Sequence, residues 1–180
     1  MRIKTAVVLG SGGHTGEMVK LLSGMDLDLY RPIEFIVAET DNMSAQKIEQ
    51  LRDQGKKFDY RINLIKRSRS VGQSYLTSIF TTILAIFYSI PLIYRIKPEL
   101  LLVNGPGTCI PCCIITFVLS RILFLIPKCK IVYVESICRV KKFSLSGKIL
   151  YSLKIADSLI VQWPELKEIY PQSVYLGQLV

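Results

Sequence analysis

The stretch Val7-Val8-Leu9-Gly10-Ser11-Gly12-Gly13-His14-Thr15 limits what this chain can become more than any other. It is an apolar run that breaks into glycines and restarts at helical spacing. Ile3 to Leu9 is mostly β-branched or aliphatic, which suits a strand buried on both faces of a parallel sheet. The glycines let a ligand come close to the backbone. Thr15 reads as the N-cap of a helix with Met18, Leu21 and Leu22 on its apolar side. Unpaired N–H groups and the positive end of the helix dipole then face the loop, a site for an anion or sugar phosphate. A strand, loop and helix of this kind open an α/β domain whose ligand lies at the carboxyl ends of the strands.

The rest of the chain repeats that alternation. Strands are expected at Ile33 to Ala38, Tyr60 to Ile65, Leu100 to Val103, Ile131 to Val134 and Leu159 to Val161. Between them, a polar helix capped by Asp41 or Asn42 runs to about Gln54, an apolar helix covers Cys109 to Leu125, and another covers Leu145 to Ile155. No internal repeat or low-complexity tract interrupts the series. The expected fold is α/β: a Rossmann-like, doubly wound, mostly parallel sheet, with residues 1–180 as a single domain.

Composition narrows the setting. Lys and Arg number 23 against 14 Asp and Glu, a net charge of +9, while half of the residues are hydrophobic. A chain both basic and apolar fits an anionic membrane surface better than nucleic acid. The cations are not interleaved with aromatics as a base-stacking groove requires, so no nucleic-acid partner is expected. Met1-Arg2 leads directly into the first strand, so no signal peptide is expected, and five cysteines fit free thiols in a reducing compartment. Ser70 to Tyr94 carries no charged residue and is long enough to ask whether it spans a bilayer. Gln73, several hydroxyl residues and Pro91 argue against a span. Three readings stay open: a helix packed on the sheet, a helix at the bilayer surface with Lys66, Arg67 and Arg69 beside the headgroups, and a true span, which Gln73, the hydroxyl residues and Pro91 oppose.

Three pieces of sequence that could carry chemistry fall at carboxyl ends of expected strands, and so on one rim. They are Gly12-Gly13-His14-Thr15, Asn104-Gly105-Pro106-Gly107-Thr108, and Glu135-Ser136 with Arg139. His14 is the only histidine, and both a structural hydrogen-bonding role and a site role are open to it. Glu135 is read either as a general base or as a carboxylate that caps a helix or pairs a charge. Gly105-Pro106-Gly107 is either a turn or a second anion loop.

Simpler motifs fit poorly. Gly10-x-Gly12-x-x-Thr15 lacks the third glycine of the dinucleotide fingerprint, although Glu39 could hold a ribose, so an NAD- or nucleotide-binding oxidoreductase is the alternative reading. No glycine-lysine pair is followed by Ser or Thr as a Walker loop requires. Cys109-Ile110-Pro111-Cys112 has no second pair with which to build a zinc site, and thiols in an apolar helix read as inert packing. No metal and no cofactor is expected.

The motifs together resemble one family. Gly10-Ser11-Gly12-Gly13-His14-Thr15, Asp41-Asn42-Met43-Ser44, Asn104-Gly105-Pro106-Gly107-Thr108-Cys109, Val134-Glu135-Ser136-Ile137-Cys138-Arg139, Ser146-Gly147-Lys148-Ile149-Leu150, Val161-Gln162-Trp163-Pro164 and Tyr170-Pro171-Gln172-Ser173-Val174-Tyr175-Leu176-Gly177 occur in order. They are similar to the membrane-recruiting subunit family of the UDP-N-acetylglucosamine transferase of dolichol-linked oligosaccharide synthesis. The resemblance implies the amino-terminal half of a GT-B glycosyltransferase split over two chains, with the nucleotide-sugar half in a catalytic partner subunit. It implies transfer of a second N-acetylglucosamine to N-acetylglucosaminyl-diphospho-dolichol on the cytosolic face of the endoplasmic reticulum membrane. His14 and Glu135 are then the candidate bases, and Gly12, Gly13, Thr15, Asn104, Gly105, Gly107 and Arg139 the candidate diphosphate binders. The tail residues Ser173, Val174, Tyr175, Leu176, Leu179 and Val180 are expected to bind the partner. Members of that family carry a transmembrane helix ahead of the first strand, which is not expected here. Anchoring is then expected of the Ser70–Tyr94 segment or of another membrane subunit.

Overall fold

Short β-branched and aliphatic runs form the strands, and residues 2–53, 58–66, 75–105 and 107–180 are described by the computed structural model. The strands are Thr5–Val8 (β1), Ile33–Ala38 (β2), Tyr60–Ile65 (β3), Leu100–Asn104 (β4), Lys130–Val134 (β5), Ser158–Val161 (β6) and Val174–Tyr175 (β7). They make one sheet in the order β3-β2-β1-β4-β5-β6-β7, parallel throughout. This is the doubly wound arrangement, whose order reverses between β1 and β4. The helices are Gly13–Ser23 (α1), Asn42–Asp53 (α2), Tyr75–Ile96 (α3), Cys109–Phe117 (α4), Leu145–Ser152 (α5) and Pro164–Ile169 (α6).

Alternation along the strands divides the core. Ala6 and Val8 of β1 pack with Leu101, Val103, Ile131 and Tyr133 on the face that receives α3, α4 and α5. Val7 and Leu9 point the other way and pack with Met18 and Leu22 of α1 and Ile48 of α2. Burying one such side chain contributes about 1.5–3 kcal/mol, so both faces of the central strands must be apolar. Right-handed crossovers place α1 and α2 over β1 to β3, and the helices after β3 on the opposite face. The α1-side face of β4 to β6 therefore stays uncovered among the described residues. It is the floor of a groove of about 750 Å³, with Leu102, Val132 and Ile160 below, Met25 on one wall, and Leu176 and Leu179 of the tail on the other.

Several expectations change in detail. The helix expected from Cys109 to Leu125 is α4 followed by a π-helical turn, Val118–Ile122, in which the Leu123 N–H donates to the Val118 carbonyl at 2.9 Å. The cap of α2 is Asp41, whose carboxylate accepts from the Ser44 backbone N–H at 3.2 Å and from its hydroxyl. Helix α6, which starts on Pro164 at its first turn, was not expected. Both ends of α3 return to this one sheet, so the helix lies along the domain. Its inner face, Ala85, Ser89, Ile93 and Ile96, is buried, while Ile79, Phe80, Ile83, Leu84, Phe87 and Tyr88 are exposed. Gln73, Arg67 and Arg69 lie outside the described residues.

Candidate functional site

Parallel register brings the three expected pieces to one rim. Val8 pairs with Val103 and Asn104 pairs with Val134, so the chain leaves β1, β4 and β5 at one level. From β1 it enters the glycine loop. Gly12, at φ 73°, turns the backbone into α1, which begins at Gly13 rather than at an N-capping Thr15. That corrects the role expected of Thr15. Its hydroxyl faces inward, donating to the Gly10 carbonyl and meeting Ser44 Oγ at 2.7 Å, so it ties the loop to α2 and is buried away from any ligand.

His14 sits in the first turn of α1, at the reversal point between β1 and β4. Its Nδ1 lies 3.0 Å from Asn104 Oδ1 and 3.8 Å from Glu17 Oε2. Asn104 is 2% exposed and fully engaged: Nδ2 donates to Glu17 Oε2 at 2.9 Å and to the Val134 carbonyl at 3.2 Å. The other Glu17 oxygen accepts from Ser136 Oγ at 2.7 Å. Asn104, expected to bind a diphosphate, instead joins the ends of β4 and β5 to α1. Gly105, at φ 75°, lies against the imidazole: a Cβ there would stand 2.2 Å from His14 Nδ1. It too shapes the site from within. The Glu17 carboxylate, with Asn104 helping and burial opposing, raises the His14 pKa above its ordinary value. Burial works against ionisation of Glu17, but the neighbouring His14 ring and hydrogen bonds from Ser136 and Asn104 outweigh it and hold that carboxyl below its ordinary value.

Glu135 is 0% exposed. Its oxygens accept from the Ser136 N–H at 3.1 Å, the Ser144 N–H at 2.9 Å, the Ser144 hydroxyl at 3.0 Å and the Tyr133 hydroxyl at 3.2 Å. Ser144 in turn caps α5 through Gly147 N–H. Burial raises the Glu135 pKa, although these hydrogen bonds oppose it. Of the two readings of Glu135, this geometry favours the capping carboxylate over the base, because no oxygen reaches the crevice. Gly12, Gly13, Gly107 and Arg139 are exposed on the rim, the last on the turn after β5.

Two residues of the site were missed. Glu17 stands three positions after His14, a spacing that places both on one side of a helix and could have flagged it. Lys47 of α2 donates to the Gly12 carbonyl at 3.0 Å and puts an ammonium beside the glycine loop. No spacing links it to that loop. Elsewhere the expected thiols are inert: burial pushes Cys112 and Cys129 up to about 12. Among the described residues no three His, Cys, Asp or Glu gather as metal ligands.

The tail is held in place as well. Gln162 donates to the Glu135 carbonyl at 2.9 Å, and its Oε1 accepts from the N–H groups of Leu179 and Val180 at 2.9 and 3.2 Å. Ser173 is buried, with its hydroxyl on the Tyr170 carbonyl, whereas Val174 and Tyr175 of the short edge strand β7 and Leu176 after it are exposed.

Known proteins place this arrangement. The fold matches the structure of MurG from Acinetobacter baumannii with a TM-score of 0.60 at 14% identity, covering 100% of this chain and 45% of that one. It matches the calicheamicin glycosyltransferase CalG4 with a TM-score of 0.56 at 13% identity, over 99% of this chain and 52% of that one. The chain thus has the Rossmann-like fold of the amino-terminal domains of GT-B glycosyltransferases and spans about half of each of these solved chains. A rat protein named UDP-N-acetylglucosamine transferase subunit ALG14 is 50% identical over 97% of this chain and 82% of its own length. Residues 5–179 match the family described as Oligosaccharide biosynthesis protein Alg14 like, and the chain belongs to that family.

Proposed function

We propose that this chain is the acceptor-binding subunit of a two-chain UDP-N-acetylglucosamine transferase. It adds the second N-acetylglucosamine to N-acetylglucosaminyl-diphospho-dolichol at the cytosolic face of the endoplasmic reticulum and recruits the nucleotide-sugar-binding subunit there. The observation that carries the reading is His14, one third exposed on the rim with the half-buried Glu17 carboxylate behind it, in a chain related to named transferase subunits. In this reading the acceptor 4-hydroxyl gives its proton to His14 as its oxygen bonds to the sugar C1. The bond from C1 to UDP breaks, and UDP leaves on the partner's side. The backbone of the exposed Gly12 and Gly13, with Gly107, Arg139 and the Lys47 ammonium, supplies the groups suited to the acceptor diphosphate. Thr15, Asn104 and Gly105 support the site from inside, and Glu135 braces the turn that carries Ser136.

The outer stripe of α3 supports a membrane-facing role, since a dolichol tail stays in the bilayer. Lys66 Nζ lies 4.0 Å over the exposed Tyr88 ring, beside that stripe, where headgroups would lie. The apolar groove edged by Leu176 and Leu179 is suited to the partner. The family relationship displaces the oxidoreductase alternative. The test is transfer of labelled N-acetylglucosamine to a short-chain N-acetylglucosaminyl-diphospho-lipid, by the chain alone and with its partner subunit. Activity only with the partner, lost by about 10²–10⁴-fold in His14→Ala, is expected. Full activity in His14→Ala would leave a scaffold without chemistry.

A further inference from the structure

We infer that Glu17 is a positioning residue that locks His14 in its Nδ1–H tautomer and leaves Nε2 as the atom facing the acceptor; only the use made of Nε2 rests on the transferase reading. The Asn104 amide has one orientation open to it. Its nitrogen faces two groups that only accept, Glu17 Oε2 at 2.9 Å and the Val134 carbonyl at 3.2 Å. Turning the amide over would set its oxygen against both and leave buried groups unpaired. With the nitrogen fixed there, Oδ1 points at His14 Nδ1, 3.0 Å away. An amide oxygen cannot donate, so Nδ1 carries the proton, and the neutral ring keeps its lone pair on Nε2.

Glu17 is the member that makes this one-sided. The Val134 carbonyl alone would satisfy one N–H of the amide, and the carboxylate claims the second. Glu17 is itself held by Ser136 Oγ at 2.7 Å, so α1, β4 and the turn after β5 fix the tautomer together. Gly105 completes the device, because the ring lies where its side chain would be. Once a proton arrives on Nε2, the Glu17 carboxylate 3.8 Å from Nδ1 also stabilises the charged ring. Glu17 thus acts through His14 and need not touch the substrate.

The chain contains a single histidine, so histidine-selective ¹⁵N labelling gives one pair of ring signals. The full chain in detergent micelles, at a pH where the ring is neutral, is expected to show Nδ1 protonated and Nε2 as the bare nitrogen. Glu17→Ala and Asn104→Ala should each move the pair toward the Nε2–H pattern. In the reconstituted complex, Glu17→Ala should lower kcat at least tenfold with KM nearly unchanged, as for loss of an orienting carboxylate. A wild-type spectrum of the Nε2–H form, or a pair unmoved by Glu17→Ala, overturns the inference. If either variant fails to fold, the wild-type spectrum still decides. Nδ1–H in the wild type together with a fully active His14→Ala would keep the tautomer and remove the transferase role of His14. Nε2–H with an inactive His14→Ala would do the reverse.

Discussion

Gly105 lacks a side chain in the one place where His14 needs the room, and its φ of 75° adds a second reason. Gly105→Ala should push the imidazole off Asn104, lowering transfer at least tenfold and stability by about 1–3 kcal/mol. Gly13→Ala is the contrast, since a Cβ there meets nothing within 4 Å, and stability should stay within about 0.5 kcal/mol. Chemical denaturation and the transfer assay on both variants measure this directly. The pH profile tests the same cluster. A base must be neutral, and Glu17, Asn104 and Glu135 all raise the His14 pKa against burial. The rate should therefore rise with pH through a midpoint above the ordinary histidine value of 6.5. Glu17→Gln removes the largest contribution, so its midpoint should move to lower pH. A midpoint that stays put would separate Glu17 from the titrating group.

At the scale of elements, α3 shows why an apolar sequence does not disclose its own inside. Ile79 to Ile96 is apolar on every side, yet Ile93 is fully buried while Phe80 and Phe87 are 67% and 63% exposed. Packing on α4 chooses the inner stripe. Phe80→Ser with Phe87→Ser should leave circular dichroism unchanged and weaken co-sedimentation with anionic vesicles at least tenfold, given about 1.5–3 kcal/mol per buried phenylalanine. Undiminished co-sedimentation would free this stripe from the membrane role. The short α5 depends instead on one buried group. Gly147 has no Cβ because Glu135 Oε2 would lie 2.4 Å from it, and that carboxylate holds the Ser144 cap.

For the whole molecule, the uncovered face of β4 to β6 follows from winding rather than from any local feature. Crossovers of one hand cover opposite halves of the two faces, and an apolar floor is left where no helix among the described residues returns. Gln162 lays the tail along that floor, which makes Leu176 and Leu179 its rim. Leu176→Asp with Leu179→Asp should abolish co-purification of the partner subunit while changing stability by less than about 1 kcal/mol, since Leu176 is 59% exposed. A partner retained by this variant would place docking elsewhere.

The alternation of apolar runs with glycine and capping residues was enough to read a doubly wound sheet from the amino acids alone, because strand and helix periods are local. It also put His14, Asn104 and Glu135 on one rim, since parallel strands end on one side. Direction across elements was not legible. Thr15 and Asn104 look like ligands of an anion in the sequence, and only packing turns them inward to Ser44 and to Glu17. Glu135 follows a strand as a base would, yet α5 closes over it. Lys47 reaches Gly12 across a gap of 35 positions that no pattern connects. Periodicity decides which residues share an element's end; which way each side chain faces there depends on neighbours that only the folded chain supplies.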